Sequence, residues 1–365
     1  MGIRNAWHIF RYFVWLDYRT KHVKNLIHAS ARPIFIIGTQ RSGSNLLRLM
    51  LNQSDEIVAP HPPHILKHFY PLLEGYGELG NAYAFQQLVE DVCQWIEHNP
   101  VPWVGVSLNR EALWQSCKEE SLLEVLRVIY EYVGEGSRYW CCKSMANVHY
   151  LEMLRAHFPN AFFIHLYRDG RDVAVSFNKT LIGEKHFYYI AQQWKEEQKR
   201  ALEFLDTYPV DQQYSIQYEE LIDSPTHILQ ELCGLLRIPY RPTMLTYYHS
   251  TASKHTAASG NMWANVAQPI LRNNREKFRL EASEEEVRIF EAIAGDTLLE
   301  LGYPLAFPSI KQPHFSIEEL NAFEQENQLR KERVKSTISS VELNRRHKRT
   351  LLKQTIIKRI AGLLV

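Results

Sequence analysis

No uncharged apolar run in this chain of 365 residues approaches the roughly 20 residues that cross a bilayer as a helix. The apolar patch from Trp7 to Leu16 is interrupted by Arg11, and no small-residue cleavage site follows it, so a signal peptide is not expected. Cysteine is scarce and odd in number: five residues, with Cys141 and Cys142 adjacent and no CxxC pair. That spacing excludes a disulfide framework and the common zinc patterns, and it points to a reducing, cytoplasmic compartment. Charge of one sign is also lacking, because 42 Lys and Arg stand against 41 Asp and Glu for a formal net charge of +1. Such a balance gives no global field for nucleic acid, and no nucleic-acid partner is expected; an anion site must be built locally, in loops. No internal repeat and no low-complexity linker divides the chain.

What is present is an alternation of short apolar strands and helical patterns. Ile34 to Ile37 is a continuous β-branched and aromatic run ending at Gly38, as a strand buried on both faces reads. From Ser44 the spacing turns helical, with Leu46, Leu47, Met50 and Leu51 on one side. Tyr139 to Cys142, Phe162 to Leu166 and Tyr214 to Gln217 are further strands, with helical patterns at 146–158, from Arg168 to about residue 179, and at 226–236. Longer helical patterns at 84–98, 119–132, 187–207 and 283–301 read as insertions that cover the sheet. The expected class is α/β: a three-layer parallel sheet of P-loop type flanked by helices, with helical insertions and a C-terminal helical extension. The division is an N-terminal helical arm at 1–31, one catalytic domain at 32–312 and a charged extension at 313–365, exposed and partly helical over 314–344.

Two turns carry the chemistry. Gly38-Thr-Gln-Arg-Ser-Gly-Ser-Asn45 joins the first strand to a helix N-terminus, where backbone N–H groups and the helix dipole favour an anion. Gly38 and Gly43 have Walker-A spacing, but Ser44 and Asn45 replace the Lys and Ser/Thr that a nucleoside triphosphatase uses for phosphates and Mg²⁺. The positive charge sits instead at Arg41, between loop hydroxyls at Ser42 and Ser44, where a guanidinium can hold a phosphate without metal. The strand Phe162 to Leu166 leads to a second basic turn, in which Arg168 and Ser176 are close enough to share one anion. Two separated phosphate sites call for a nucleotide phosphorylated at both ends.

The segments Arg41-Ser-Gly-Ser-Asn45 and Arg168-Asp-Gly-Arg-Asp-Val-Ala-Val-Ser176 resemble the two cofactor motifs of sulfotransferases that use 3′-phosphoadenosine 5′-phosphosulfate. The resemblance runs from about Ile34 to Tyr303, with a spacing close to that of tyrosylprotein sulfotransferases. It implies that Arg41, Ser42, Gly43, Ser44 and Asn45 hold the 5′-phosphosulfate, and that Arg168 and Ser176 hold the 3′-phosphate. Tyr218, in Tyr218-Glu-Glu-Leu221, and Lys277, in the late segment Val266 to Phe278, resemble further nucleotide contacts. Lys143 falls where the family places its catalytic lysine and, with Arg41, takes the charge-neutralising role. The implied donor is 3′-phosphoadenosine 5′-phosphosulfate, the product 3′,5′-ADP, and no metal is expected.

For the base the resemblance offers two positions to compare. Cytosolic members of the family carry a histidine two residues after the lysine, and here that position is Met145. Tyrosylprotein members use a glutamate after the first helix, and the ungapped count lands on Ala59-Pro-His-Pro-Pro-His64, with His61 at one of two glutamate positions. An imidazole suits proton abstraction near neutral pH, so His61 is the expected base, with His64 the other candidate. No motif identifies the hydroxylated acceptor: carbohydrate, lipid, small molecule and tyrosine all remain open. Trp95, Trp103, Trp114, Tyr188, Tyr189 and Trp194 could stack on an acceptor, though core packing is the commoner use of such residues. From Arg345 onward seven Lys and Arg and no acid interleave with Leu351, Leu352, Ile356, Ile360 and Leu363. As a helix this segment is basic and amphipathic, fit for peripheral membrane contact or for packing on the domain. The competing functional classes are an ATP-using P-loop kinase or phosphotransferase and a non-catalytic anion-binding module on the same scaffold.

Overall fold

The computed structural model describes residues 31–308 and 315–363, so the expected N-terminal arm at 1–31 lies, except for Ala31, outside the described residues. Five strands form one parallel sheet: β1 (Arg32–Ile37), β2 (Ile57–Val58), β3 (Tyr139–Cys142), β4 (Phe162–Tyr167) and β5 (Gln213–Gln217), in the order β2-β3-β1-β4-β5. The register aligns Arg32 with Tyr139 and Ile34 with Phe162, and it carries β4 to β5 through Phe163 and Gln213. Ile34, Phe35, Ile36 and Ile37 are fully buried, because β1 is central and covered on both faces. The α/β class and the flanked parallel sheet are therefore as the alternation implied. β2 has two residues, too short for a periodic signal, and was not anticipated.

Successive side chains on β1 point to opposite layers. Ile34 and Ile36 join the cluster built on Leu47, Met50 and Leu51 of α1 (Ser44–Leu51). Phe35 meets the rings of Trp140, Phe158 and Phe163 at 5.4–5.6 Å on the other side. Each such buried apolar side chain contributes about 1.5–3 kcal/mol of transfer free energy. The remaining principal helices are α2 (Ala82–Glu97), α3 (Leu122–Val133), α4 (Gly170–Phe177), α5 (Phe187–Thr207), α6 (Pro225–Leu236) and α7 (Glu284–Glu300). The four long helical patterns of the sequence all form, at α2, α3, α5 and α7. The pattern at 146–158 divides into a 3-10 turn, Met145–His149, and a short helix, Leu151–His157.

The extension holds α8 (Ile317–Ser336) and α9 (Ser340–Ile360). α8 is mostly exposed, as its polarity predicts, but it is pinned to the domain. The Asn327 side-chain oxygen accepts from the backbone N–H groups of Lys185 and His186 at 2.8 and 3.1 Å, and Phe323 stacks on the His186 ring at 4.4 Å. α9 packs against α2 and the 3-10 helix Tyr70–Tyr76, burying Arg349 and Ile356. Its buried stripe meets the domain, while Leu351, Ile357 and Leu363 remain exposed. Among the described residues no helix is long and apolar enough to cross a membrane.

Strand order fixes where a ligand sits. The chain leaves β1 toward β2 and β3 on one side and later toward β4 and β5 on the other, so the turns after β1, β3 and β4 open at one sheet edge. Those turns are Gly38 to Gly43, Lys143 to Met145, and Arg168 to Gly170.

Candidate active site

A cavity of about 650 Å³ lies at that edge, within the range of small-ligand sites. Its wall includes Arg41, Gly43, Ser44, Asn45, His61, His64, Lys143, Arg168, Ser176, Tyr218 and Lys277. Every sequence-derived site residue but Ser42 therefore faces one space. Ser42 is fully buried behind the loop, and its Oγ has no hydrogen-bond partner.

The first loop has positive φ at Gly38 (124°), Arg41 (75°) and Gly43 (89°). Alternation of this kind turns successive N–H groups inward, the geometry of a backbone anion nest. Arg41 holds its left-handed conformation without being glycine, a strain of the kind kept at ligand sites. Gly43 is obligatory for two reasons: its φ, and the Tyr218 ring, which would lie 2.4 Å from an added Cβ. Gly43 also caps α1 without a side-chain bond, leaving the first-turn N–H groups free for a ligand.

The two basic turns are physically joined. Arg41 Nε donates to Ser176 Oγ at 3.0 Å and Arg41 Nη2 to the Met262 carbonyl at 3.3 Å. Arg168 Nη1 donates to the Arg41 carbonyl at 3.3 Å, while Nη2 reaches Asp172 at 3.0 Å and the Asn274 carbonyl at 2.8 Å. Its guanidinium stacks over Tyr218 at 4.6 Å, and its Nε is buried without a partner. The surface ion pair that Arg168 and Asp172 could have formed is instead buried, and Asp172 also accepts from the Phe278 N–H at 3.0 Å. Burial and the Arg168 charge lower the Arg41 pKa to about 10.

Lys143 emerges from the end of β3, almost fully buried, with no ion-pair partner among the described residues. Burial, then Arg48 and Arg41, bring its ammonium down to about 7. Arg48 escaped the sequence reading because it sits among α1 leucines as an apparent helix-surface charge. It is buried and fastens three segments: Nη1 donates to the Ala59 carbonyl at 2.9 Å, Nη2 to Thr256 at 3.2 Å and Nε to Asn45 at 3.3 Å.

His61 is 7 % exposed, both ring nitrogens lack partners, and its ring meets Trp263 edge-on at 5.3 Å. Its loop is held from behind: the His61 carbonyl accepts from Trp103 Nε1 at 2.6 Å, and the Pro63 carbonyl from Trp95 Nε1 at 2.8 Å. Of the aromatic residues that could have stacked on an acceptor, these two instead support the loop, Trp95 buried and Trp103 half-buried. His64 differs. Its Nδ1 is bonded to Ser144 Oγ at 2.8 Å, and its φ of 60° caps the short helix Ile65–Phe69. Burial pushes both imidazoles well below their ordinary range, followed by the Lys143 charge. Met145 is buried beside Gly38 and lines the cavity, where a thioether cannot take a proton.

Two further cavity residues, Arg346 and Arg349, come from α9. They were legible only as part of a basic amphipathic helix, because nothing local says which domain surface that helix meets. Of the acidic residues described, Asp172 alone faces the cavity, and Arg168 pairs it. No group of three or more His, Cys, Asp or Glu among the described residues is arranged to hold a metal ion.

Comparison with known proteins bears on the fold and the family. A curated relative, an uncharacterized protein of Aquifex aeolicus (strain VF5), is 26% identical over 268 residues, which cover 71% of this chain and 32% of that protein. The chain thus spans about a third of that relative's length. The sulfotransferase domain from the curacin biosynthetic pathway superposes with a TM-score of 0.51 at 21% identity, over 75% of this chain and 99% of that one. The sulfotransferase domain of the Synechococcus PCC 7002 olefin synthase gives 0.50 at 20% identity, over 74% and 97%. These likenesses show a shared fold. The family model described as "Sulfotransferase family" matches residues 33–242, more than half of the chain, and spans both basic turns and the lysine between them. The chain belongs to the sulfotransferase family.

Proposed function

We propose that the chain moves a sulfuryl group from 3′-phosphoadenosine 5′-phosphosulfate to the hydroxyl of an acceptor, with His61 as the base. The observation that carries this reading is the pair of cationic turns after β1 and β4, tied by the Arg41–Ser176 bond, with Lys143 at the end of β3, on the other side of β1, lining the same cavity. A doubly phosphorylated nucleotide fits the residues present. The buried Arg168 Nε lacks a protein partner, and the loop N–H groups at the start of α1 are uncapped. The 5′ end would be held by Arg41, Ser44, Asn45 and the backbone of Ser42 and Gly43. The 3′-phosphate would be held by Arg168 and Ser176, with Tyr218 and Lys277 completing the wall.

When bound, the donor supplies an activated sulfuryl group on a phosphate leaving group. The chain supplies the rest. Lys143 and Arg41 concentrate positive charge beside the loop, where negative charge grows on the sulfuryl oxygens and the leaving oxygen. His61, neutral because burial and Lys143 oppose its protonation, has both nitrogens free and can take the acceptor's hydroxyl proton. Its low proton affinity would rise once an anion offsets Lys143, so the base strengthens when the donor is in place. The Ser144 bond makes His64 the weaker candidate.

Carbohydrates, lipids, small molecules and tyrosine remain acceptor candidates, and a cytoplasmic location with or without peripheral membrane contact through α9 belongs to the same proposal. The test is transfer of labelled sulfate to a panel of hydroxylated acceptors in the presence of a chelator. Metal-independent transfer is expected; dependence on ATP and Mg²⁺ would favour the kinase reading, and nucleotide binding without any transfer the non-catalytic one.

A further inference from the structure

The cavity extends past His61 to α9. Arg349 is 9 % exposed, stacks on Trp95 at 3.8 Å, and donates to the Pro63 carbonyl at 2.7 Å and Asn99 Oδ1 at 3.4 Å. Its Nε has no partner, and no acid among the described residues pairs with it. Arg346, one turn earlier, is neutralised by Glu342 at 2.8 Å, so the unbalanced charge at this end belongs to Arg349, with Lys67 nearby on the wall. Arg349 lines the same cavity as His61, His64 and His68, and its charge opposes the protonation of all three.

A residue needed only to hold the Pro63 carbonyl could be a neutral amide. Burying an unpaired guanidinium is costly, and such a charge is retained where a ligand completes it. The donor's anionic groups already have Arg41, Arg168 and Lys143. We propose that Arg349 of the C-terminal helix recognises an anionic group, a carboxylate or phosphate ester, on the acceptor, so that the extension forms part of the acceptor site. This rests on the sulfotransferase reading and narrows its substrate class to hydroxylated anions. It also gives α9 a role distinct from membrane contact: the buried face carries specificity, whatever the exposed face meets.

The test uses the full chain saturated with 3′,5′-ADP, titrated with two matched series. One is 4-hydroxyphenylacetate, 4-ethylphenol and tyramine; the other is 6-hydroxyhexanoate, hexan-1-ol and 6-aminohexan-1-ol. The anionic member of at least one series should bind tenfold or more tightly than its neutral and cationic partners, by calorimetry. That preference should vanish in Arg349→Gln, persist in part in Arg349→Lys, and survive in Lys348→Gln, which removes an exposed charge from the same helix. Equal affinity across charge, or a preference unchanged in Arg349→Gln, overturns the inference. If Arg349→Gln fails to fold, the wild-type charge ranking and Arg349→Lys decide. Failure of 3′,5′-ADP to bind wild type would instead strike the donor reading, and the two failures are read separately.

Discussion

At the scale of single residues, Lys143 and His61 are poised by the same cause. Neither has a counter-charge, so burial opposes protonation of both, and each responds to an arriving anion. For Lys143 the sign is definite. Its free-state value of about 7 rises when an anionic nucleotide binds, so binding takes up a proton. Affinity for 3′,5′-ADP should be greatest below pH 7 and fall as pH rises through that value toward the bound-state pKa. Calorimetry in buffers of different ionisation heats should register the uptake near pH 8, and Lys143→Met should abolish it. For His61, replacement by alanine should lower turnover by about 10²- to 10⁴-fold, the usual worth of a positioned base, while leaving the 3′,5′-ADP thermal shift intact. His64→Ala should cost less. Full turnover by His61→Ala would refute the assignment.

At the scale of elements, the β1–α1 turn does the most with the fewest residues. Gly43→Ala forces a left-handed alanine against the Tyr218 ring. It should cost about 1–3 kcal/mol of stability for the backbone alone, and it should remove nucleotide binding as the loop rearranges. Urea unfolding with and without 3′,5′-ADP measures both effects. α8 makes a separate point. Asn327→Ala strands two buried N–H groups at Lys185 and His186, each costing about 1–3 kcal/mol, and the urea midpoint should fall accordingly. Elements with strong local signals were readable from sequence: the apolar runs of β1, β3 and β4, and the 3.6-residue stripes of α2, α3, α5 and α7. The two-residue β2 and the anchoring of α8 were not, because each is set by a partner far along the chain rather than by local pattern.

At the scale of the whole molecule, a chain with almost no net charge concentrates cations around one cavity. Arg41, Lys143, Arg168 and Arg349 come from three turns and a helix spread along most of the chain, and the sheet edge and the docking of α9 bring them together. The Arg41 and Arg168 turns were legible in advance because each is short and placed by the strand before it. The α9 end of the cavity was not, since Arg349, Asn99 and Trp263 converge there only through tertiary packing. His61 lies at the join: a ligand-facing histidine could be counted out from the first helix, but its bare nitrogens and the arginines around it required the fold.

Both proposals require the cavity to hold a nucleotide phosphorylated at both ends without metal. Thermal unfolding of the full chain with 3′,5′-ADP, AMP and ATP/Mg²⁺, each at matched concentration, tests it most directly. A ligand at a hundredfold excess over its Kd adds about 2.7 kcal/mol to the folded state. Strong stabilisation by 3′,5′-ADP is expected, unchanged by chelator and lost in Arg168→Ala, with little effect from AMP. Stabilisation by ATP/Mg²⁺ in preference to 3′,5′-ADP would contradict it.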